Sequence, residues 1–207
     1  AYAADARALW QAIGEAAPAG TRWVIDSSKT AYGAASRPLT FASAAGAEVF
    51  FVHLVRDPRG VADSYARKGL NRTHDARPGL RSRVPASALR AVVGWAYAQR
   101  CAERVARHLG PGRATRLRYE DLATRPADVV RRLGEWTGLG LEGVLGALAR
   151  GAPVPVTGHQ IAGNRLRRLE ATVIRPATDA PSPLGPAASL ALRAFAGGLL
   201  ERYGYSR

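Results

Sequence analysis

An arginine and a serine stand eight residues apart in a pattern that favours anion binding. Arg56 follows residues 48–55, a β-branched and aromatic run that predicts a strand buried on both faces. Asp57-Pro58 ends that strand and opens a helix, because proline is tolerated in a first helical turn. Ser64 follows at helical spacing and can face back toward Arg56. A guanidinium, a hydroxyl and a helix N-terminus at one place predict a phosphate site.

The same motif has a second interpretation, which its residues leave open. Arg56 could instead pair with Asp57 or Asp63 at an ordinary junction between a strand and a helix. Under that interpretation the arginine is structural and binds no ligand.

Lys29 is a second candidate for chemistry, in a polar turn that follows residues 22–26, a short apolar run that predicts a strand. Among the 30 Lys and Arg of the chain, only Lys29 and Lys68 are lysines. A lysine at a strand end in such a composition indicates a compact point charge, and the alternative is a solvated lysine beside Asp26. The turn lacks the glycines of a nucleotide P-loop, so that motif is rejected.

Two later segments are also polar at the places where ligands bind in α/β proteins. Residues 114–119 predict a strand that ends in Tyr119-Glu120-Asp121, three residues that we expect to tie the strand end to the next helix. Residues 158–167 read GHQIAGNRLR and predict an irregular loop. Taken alone, a Gly-Asn pair is common in loop turns, and His159 is then an ordinary loop histidine.

These segments, in this order, resemble the motifs of bacterial-type sulfotransferases that use 3′-phosphoadenosine 5′-phosphosulfate (PAPS). The first is similar to the family's R-[DN]-P-x-x-x-x-x-S pattern for the 3′-phosphate, and the last to its loop H-x-x-x-G-N-x-x-R, which closes over the nucleotide. The Asp-Ser-Ser-Lys turn resembles the loop whose lysine approaches the sulfuryl group, and LLERYGY at residues 199–205 resembles the family's terminal helix. The resemblance implies the following nucleotide-binding residues: Arg56, Ser64, Gly163, Asn164 and Arg167.

The activity implied by this resemblance is in-line transfer of a sulfuryl group from PAPS, as co-substrate, to an acceptor hydroxyl or amine without a metal. The acceptor would be a small molecule, a sugar or a lipid. Lys29 would stabilise the charge that develops on the leaving phosphate. A general base must reach the acceptor's proton, and His159 and Asp26 are the candidates for it.

The implied fold is α/β, with a parallel sheet flanked by helices in a P-loop NTPase-like arrangement, as one domain over residues 1–207. Family members begin with a strand and a loop, G-x-x-R-S-G-[ST]-[ST], that holds the 5′-phosphosulfate. This sequence opens instead on a predicted helix at residues 3–16. We therefore expect an N-terminally incomplete domain that lacks the first strand of the fold, and this puts its activity in doubt.

The remaining pattern supplies elements that would position these residues. Helices are predicted at residues 59–68, 85–109, 127–137, 141–148 and 187–203, a short helix precedes residue 48, and residues 151–186 are expected to be irregular. Strands that alternate with helices predict a parallel sheet with ligands at the carboxyl ends of its strands. Lys29, Arg56 and Glu120 fall at or just beyond such ends.

The net charge of +14 raises the alternative of a non-catalytic binder of nucleic acid or another polyanion. Its densest basic run, residues 67–83, has no aromatic residue and is interpreted first as a loop over the acceptor pocket, then as a solvated loop, and last as a nucleic-acid arm. No nucleic-acid motif occurs, so no nucleic-acid partner is expected. A nucleotide-dependent kinase is a further alternative, but it would need a glycine-rich phosphate loop, which this sequence does not show. One cysteine excludes an internal disulfide, and the lack of a signal peptide or membrane-length apolar run predicts a cytoplasmic protein.

Overall fold

The computed structural model describes residues 2–27, 37–44, 48–67, 88–156, 169–174 and 184–206. Within them the chain forms helices and strands in this order: α1 Tyr2–Ala16, α2 Arg37–Ala44, β1 Phe51–Val55, α3 Pro58–Arg67, α4 Ala88–Leu109, β2 Ala114–Arg118, α5 Tyr119–Thr124, α6 Pro126–Thr137, α7 Glu142–Ala149, β3 Val154–Pro155, β4 Ala171–Thr172 and α8 Pro186–Arg202.

The fold is α/β, with helices flanking a small parallel sheet, as the sequence predicted. The chain divides into two compact units, Ala1–Arg116 with Ala180–Arg207, and Leu117–Asp179. The expectation of a single domain over residues 1–207 stays a prediction.

The parallel sheet pairs β1 with β2, and α3 and α4 form the crossover between them. The Phe51 N–H donates to the Arg113 carbonyl at 2.8 Å, next to the start of β2. Two parallel strands end at the same edge of their sheet, so the residues that follow β1 and β2 leave from one edge. Arg56 is the first residue after β1.

Strand β1 buries one of its two faces. His53 and Val55 are buried at 5% and 0% exposure, whereas Val52 and Leu54 are 40% and 51% exposed. Successive strand residues point to opposite faces, and the core cluster that includes Val55 draws its other members from α4, α8 and the tail that follows α8. The prediction of a strand buried on both faces was therefore wrong. A run of apolar residues predicts a strand, but it does not say which elements cover each face.

Helix α8 packs most extensively on α4 and supplies much of this core. Proline at its first position fits a helix start, because the missing N–H is one that a first turn leaves unpaired anyway. The buried positions of α8 are alanines and leucines. The buried residues of α8 are Ala188, Ala191, Leu192, Ala196, Leu199 and Leu200.

The strand predicted at residues 22–26 is absent from the structure. Residues 21–27 form no regular secondary structure, and Val24 and Ile25 are 48% and 78% exposed. Trp23 makes the inward contact of this segment, with its ring centroid 5.5 Å from that of Phe50. The prediction was wrong because it used apolar character alone, and a strand also needs a partner strand to complete its hydrogen bonds.

The unit Leu117–Asp179 contains two features that the sequence did not predict. Helix α5 begins at Tyr119, directly after β2, and residues 151–186, expected to be irregular, contain a short antiparallel pair of strands. In that pair Val154 faces Thr172 and Pro155 faces Ala171. Helix α6 has Pro126 in its first turn and ends at Gly138, whose φ of 73° is the left-handed conformation that favours glycine at a helix C-terminus.

Candidate functional site

The junction between β1 and α3 is defined by a helix cap. The Asp57 carboxylate accepts a hydrogen bond from the Arg59 backbone N–H at 2.8 Å and another from the Arg59 Nε at 3.0 Å. The Val61 N–H donates to the Asp57 carbonyl at 3.0 Å, which is the first helical bond of α3. Pro58, between them, is among the most deeply buried residues of the chain. Strand therefore changes to helix within two residues, and Arg56 is held at that point.

The guanidinium of Arg56 lies against Gly60, in the first turn of α3. A Cβ on residue 60 would stand 3.3 Å from the Arg56 Nε, 3.5 Å from Nη2 and 3.6 Å from Cζ. The first distance is shorter than an ordinary van der Waals contact of about 3.5–4.0 Å. Glycine therefore lets the arginine side chain lie across the beginning of the helix.

Ser64 lies one helical turn beyond Gly60 on the same face of α3, because residues four apart in a helix are neighbours. Helical Cα–Cβ bonds tilt toward the N-terminus, so the Ser64 side chain is directed back along that face toward Gly60. Arg56 and Ser64 are both half-buried. Arg56 thus lies against the first turn of α3, and Ser64 follows one turn later on the same face of that helix.

The N-terminus of α3 differs from the sequence-based expectation in one respect. It was expected to offer free N–H groups to an anion, but the Arg59 N–H is already bonded to Asp57. An anion at this junction would therefore depend on the Arg56 guanidinium and the Ser64 hydroxyl more than on backbone amides. The alternative interpretation, in which Arg56 serves an ordinary junction, stays open.

Trp95, on α4, makes a contact with the junction that the sequence did not reveal. Its indole Nε1 donates to the Arg56 carbonyl at 2.8 Å, and the residue is only 5% exposed. A buried tryptophan needs an acceptor for its N–H, and that requirement was the available signal.

A buried polar cluster lies on the α4 side of β1. The His53 Nε2 lies 2.6 Å from the Gln99 Oε1, and both residues are buried. Burial lowers the pKa of His53 from its usual 6.5, and the bond to Gln99 opposes that shift. The His53 ring also meets the Tyr203 ring edge to face at 5.8 Å. His53 is therefore a core residue whose ring nitrogen has a hydrogen-bond partner.

Glu103 connects this cluster to the end of α8. It accepts hydrogen bonds from the Tyr203 hydroxyl at 3.0 Å and the Arg202 Nη2 at 3.2 Å, and its side chain is 12% exposed. Arg116 lies 3.9 Å from the same carboxylate and 4.4 Å from the centre of the Tyr203 ring. Burial, with Glu103 in support, raises the pKa of Tyr203 well above its usual 10. The tyrosine is therefore neutral and donates a hydrogen bond to the carboxylate.

The residues after α8 reach the junction itself. Arg59 Nη2 donates to the Ser206 carbonyl at 2.7 Å and to the Ser206 hydroxyl at 3.2 Å. The neighbouring Tyr205 is buried in the core. One arginine of α3 therefore binds both the capping Asp57 and the residues that follow α8.

The other sequence-predicted residues are distributed differently. Glu120 lies in the first turn of α5, where its carbonyl accepts a bond from the Thr124 hydroxyl at 2.8 Å. Asp26 lies 3.8 Å from the Arg37 guanidinium. Five of the predicted site residues lie outside the described part of the chain: Lys29, His159, Gly163, Asn164 and Arg167.

A family model described as "Sulfotransferase family" matches residues 1–143 of this sequence. The chain belongs to the sulfotransferase family. The match includes the whole β1–α3 junction, together with Trp95 and Glu103. The resemblance inferred from the motifs is thus confirmed at the level of the family.

A solved structure shares the fold of this sulfotransferase. It is the sulfotransferase domain from the curacin biosynthetic pathway, which matches with a TM-score of 0.59 at 20% sequence identity. The match covers 97% of this chain and 68% of that one. A comparison with curated proteins found no match.

Family and fold together support a sulfotransferase function, which is a group-transfer activity. Within the part of the chain that the structure describes, no group of three His, Cys, Asp or Glu side chains is placed to hold a metal ion. Across the same residues, no helix has both the length and the apolar character needed to cross a membrane.

Proposed function

We propose that this sulfotransferase transfers a sulfuryl group from PAPS to an acceptor hydroxyl or amine, and that Arg56 and Ser64 bind the 3′-phosphate of the nucleotide. The observation that carries the proposal is the position of the Arg56 guanidinium against Gly60, with Ser64 one turn along the same face. The acceptor is proposed to be a small molecule, a sugar or a lipid.

The local charges support an anion at this place. Asp57 pairs with Arg59 at 3.0 Å, and Arg56 brings a second guanidinium to the same junction. A helix N-terminus carries a partial positive charge of roughly one half. A planar guanidinium can donate two parallel hydrogen bonds to two oxygens of one phosphate, and a hydroxyl can donate a third hydrogen bond. Ligands of open α/β sheets also bind beyond the carboxyl ends of the strands, where Arg56 lies.

A phosphate group of the nucleotide fits the chemistry of the residues present, because the Arg56 guanidinium lies against the first turn of α3, one turn before the Ser64 hydroxyl. PAPS would supply the sulfuryl group that is transferred. Arg56 and Ser64 would fix the nucleotide through its 3′-phosphate, and this positioning would orient the donor for in-line transfer.

The remaining roles are proposed from the sequence resemblance. Lys29 would stabilise the charge that develops on the leaving phosphate, and His159 or Asp26 would accept the acceptor's proton. Nucleotide contacts are proposed for Gly163, Asn164 and Arg167.

The test is calorimetric binding of adenosine 3′,5′-bisphosphate, with AMP as the nucleotide that lacks the 3′-phosphate. We expect the bisphosphate to bind more tightly than AMP, and Arg56→Ala to remove that difference. Arg104→Ala is the matched control, because Arg104 is an exposed arginine on α4 and its loss lowers the net charge equally. Equal affinity for both nucleotides in the unaltered protein, or equal losses in the two arginine variants, would contradict the proposal. In the second case a polyanion surface explains the binding, with steep salt dependence.

A further inference from the structure

We infer that Trp95 is a positioning residue for the 3′-phosphate site and holds Arg56 in its binding orientation through the Arg56 carbonyl. The inference rests on the proposed function of Arg56. Trp95 itself would not touch the nucleotide.

The indole of Trp95 binds a carbonyl at the start of α3. The helical hydrogen bonds of α3 begin at the Asp57 carbonyl, which accepts from Val61, so the Arg56 carbonyl lies one residue before that series. The Trp95 Nε1 donates to it at 2.8 Å. Loss of the indole N–H would remove this hydrogen bond at the point where strand becomes helix.

The bond from Trp95 restrains the peptide group between Arg56 and Asp57. The Arg56 carbonyl belongs to the peptide that joins Arg56 to Asp57, so its direction sets both residues at once. Rotation of that peptide would carry the Asp57 carboxylate away from the Arg59 N–H, 2.8 Å distant. It would also move the guanidinium from its place against Gly60, where an added Cβ would stand 3.3 Å from the Arg56 Nε. The indole thus restrains the cap and the arginine together.

The indole of Trp95 is itself held by neighbours in the core. Trp95 is a member of the buried core and meets the Tyr203 ring edge to face at 6.0 Å. This ring contact does not involve the Tyr203 hydroxyl. Neighbours on α4 and at the end of α8 therefore fix the direction of the indole N–H.

The decisive variant replaces Trp95 with β-(3-benzothienyl)alanine, which keeps the shape of the indole and lacks its N–H. Trp95→Phe is the second variant, made by ordinary mutagenesis. Tyr203→Phe is the matched control, because it removes a buried hydrogen bond from the same cluster and leaves the Arg56 carbonyl untouched. For each protein, calorimetry gives the affinities for adenosine 3′,5′-bisphosphate and for AMP, and thermal unfolding gives Tm.

We expect both Trp95 variants to weaken binding of the bisphosphate about fivefold to tenfold, the equivalent of roughly one hydrogen bond, and to leave AMP binding unchanged. Tyr203→Phe should lower Tm and leave the ratio of the two affinities unchanged. A purely structural role for Trp95 would lower Tm without changing that ratio.

Two results would overturn the inference while the proposed function stands. One is an unchanged ratio in both Trp95 variants when Arg56→Ala abolishes the preference for the bisphosphate. The other is an equal change of the ratio in Tyr203→Phe, which would indicate general loosening of the core. If the unaltered protein shows no preference, or Arg56→Ala retains it, the proposed function fails and this inference fails with it.

Discussion

The Arg56 guanidinium and the Cα of Gly60 are so close that a methyl group on residue 60 would stand 3.3 Å from the Arg56 Nε. This contact lies between a strand end and the first turn of a helix, where a side chain longer than hydrogen would displace the arginine by a few tenths of an ångström. We therefore expect glycine at position 60 to matter more for the proposed site than for the helix, because alanine is the better helix former.

Gly60→Ala is therefore expected to change binding and stability in opposite directions. Alanine in a helix is favoured over glycine by up to about 1 kcal/mol, so Tm should stay level or rise. Affinity for adenosine 3′,5′-bisphosphate should fall about tenfold, because the guanidinium must shift from its place. Calorimetry and thermal unfolding measure the two effects.

The control for that variant is Gly197→Ala in α8, where a Cβ would meet no atom within 4 Å. It should change Tm through helix propensity alone and leave nucleotide binding as it was. Unchanged bisphosphate affinity in Gly60→Ala would show that the arginine adapts at no cost, and the contact would then have no bearing on binding.

The buried His53 predicts a pH dependence of stability. Burial lowers its pKa from 6.5, and the polar groups around it are Gln99, Glu103, Arg116 and Tyr203. The unfolded chain then binds a proton at higher pH than the folded protein does. The contribution to stability is complete above about pH 6.5 and declines as the pH falls through that value. Urea unfolding at pH 7.5 and at pH 5.5 should therefore give a smaller free energy of unfolding at the lower pH.

His53→Gln removes the titrating group, so its stability should change less between those two pH values. His108→Gln is the control, since His108 is exposed in the last turn of α4. A decline in His53→Gln as large as in the unaltered protein would assign the pH dependence to other groups.

The sequence predicted those parts of the fold that local signals determine. The β1–α3 junction was predicted from residues 48–55 followed by Asp57-Pro58, and α3 begins at Pro58 in the structure. Helices α1, α4 and α8 were also predicted, with ends within a few residues of those observed. Apolar periodicity and helix-start residues specify such elements without information from the rest of the chain.

The parts that the sequence did not predict depend on distant partners. The bond from Trp95 to the Arg56 carbonyl joins residues 39 apart, and nothing local to either one indicates it. Exposure of Val52 and Leu54 depends on which elements cover β1, and an apolar run is equally compatible with one covered face or two. Gly60 was closer to being predictable, since a glycine in a first helical turn, four residues after a candidate arginine, indicates a close approach.

The Tyr203 hydroxyl predicts a measurable contribution to stability. It is 3% exposed and donates to Glu103 at 3.0 Å. Tyr203→Phe leaves the carboxylate with its arginines but removes a buried donor, so the free energy of unfolding should fall by about 1–2 kcal/mol. Denaturant unfolding measures the change. Tyr97→Phe, at a tyrosine on the same helix that is 53% exposed, should cost under about 0.5 kcal/mol. Equal losses in the two variants would mean that the bond to Glu103 is not a source of stability.

Variants of Asp57 should separate the stability that comes from helix capping from the stability that comes from ion pairing. Asp57→Ala removes the acceptor for the Arg59 N–H and should lower the free energy of unfolding by about 1 kcal/mol, a typical loss for an N-cap. Asp57→Asn keeps a capping oxygen and loses only the charge that faces Arg59. Asn still offers an oxygen to the Arg59 N–H, and Asn and Asp are similarly good N-cap residues, so Asn should be more stable than Ala. Thermal and denaturant unfolding of the three proteins give the comparison. If Asn were as destabilising as Ala, the ion pair rather than the cap would stabilise the junction that holds Arg56.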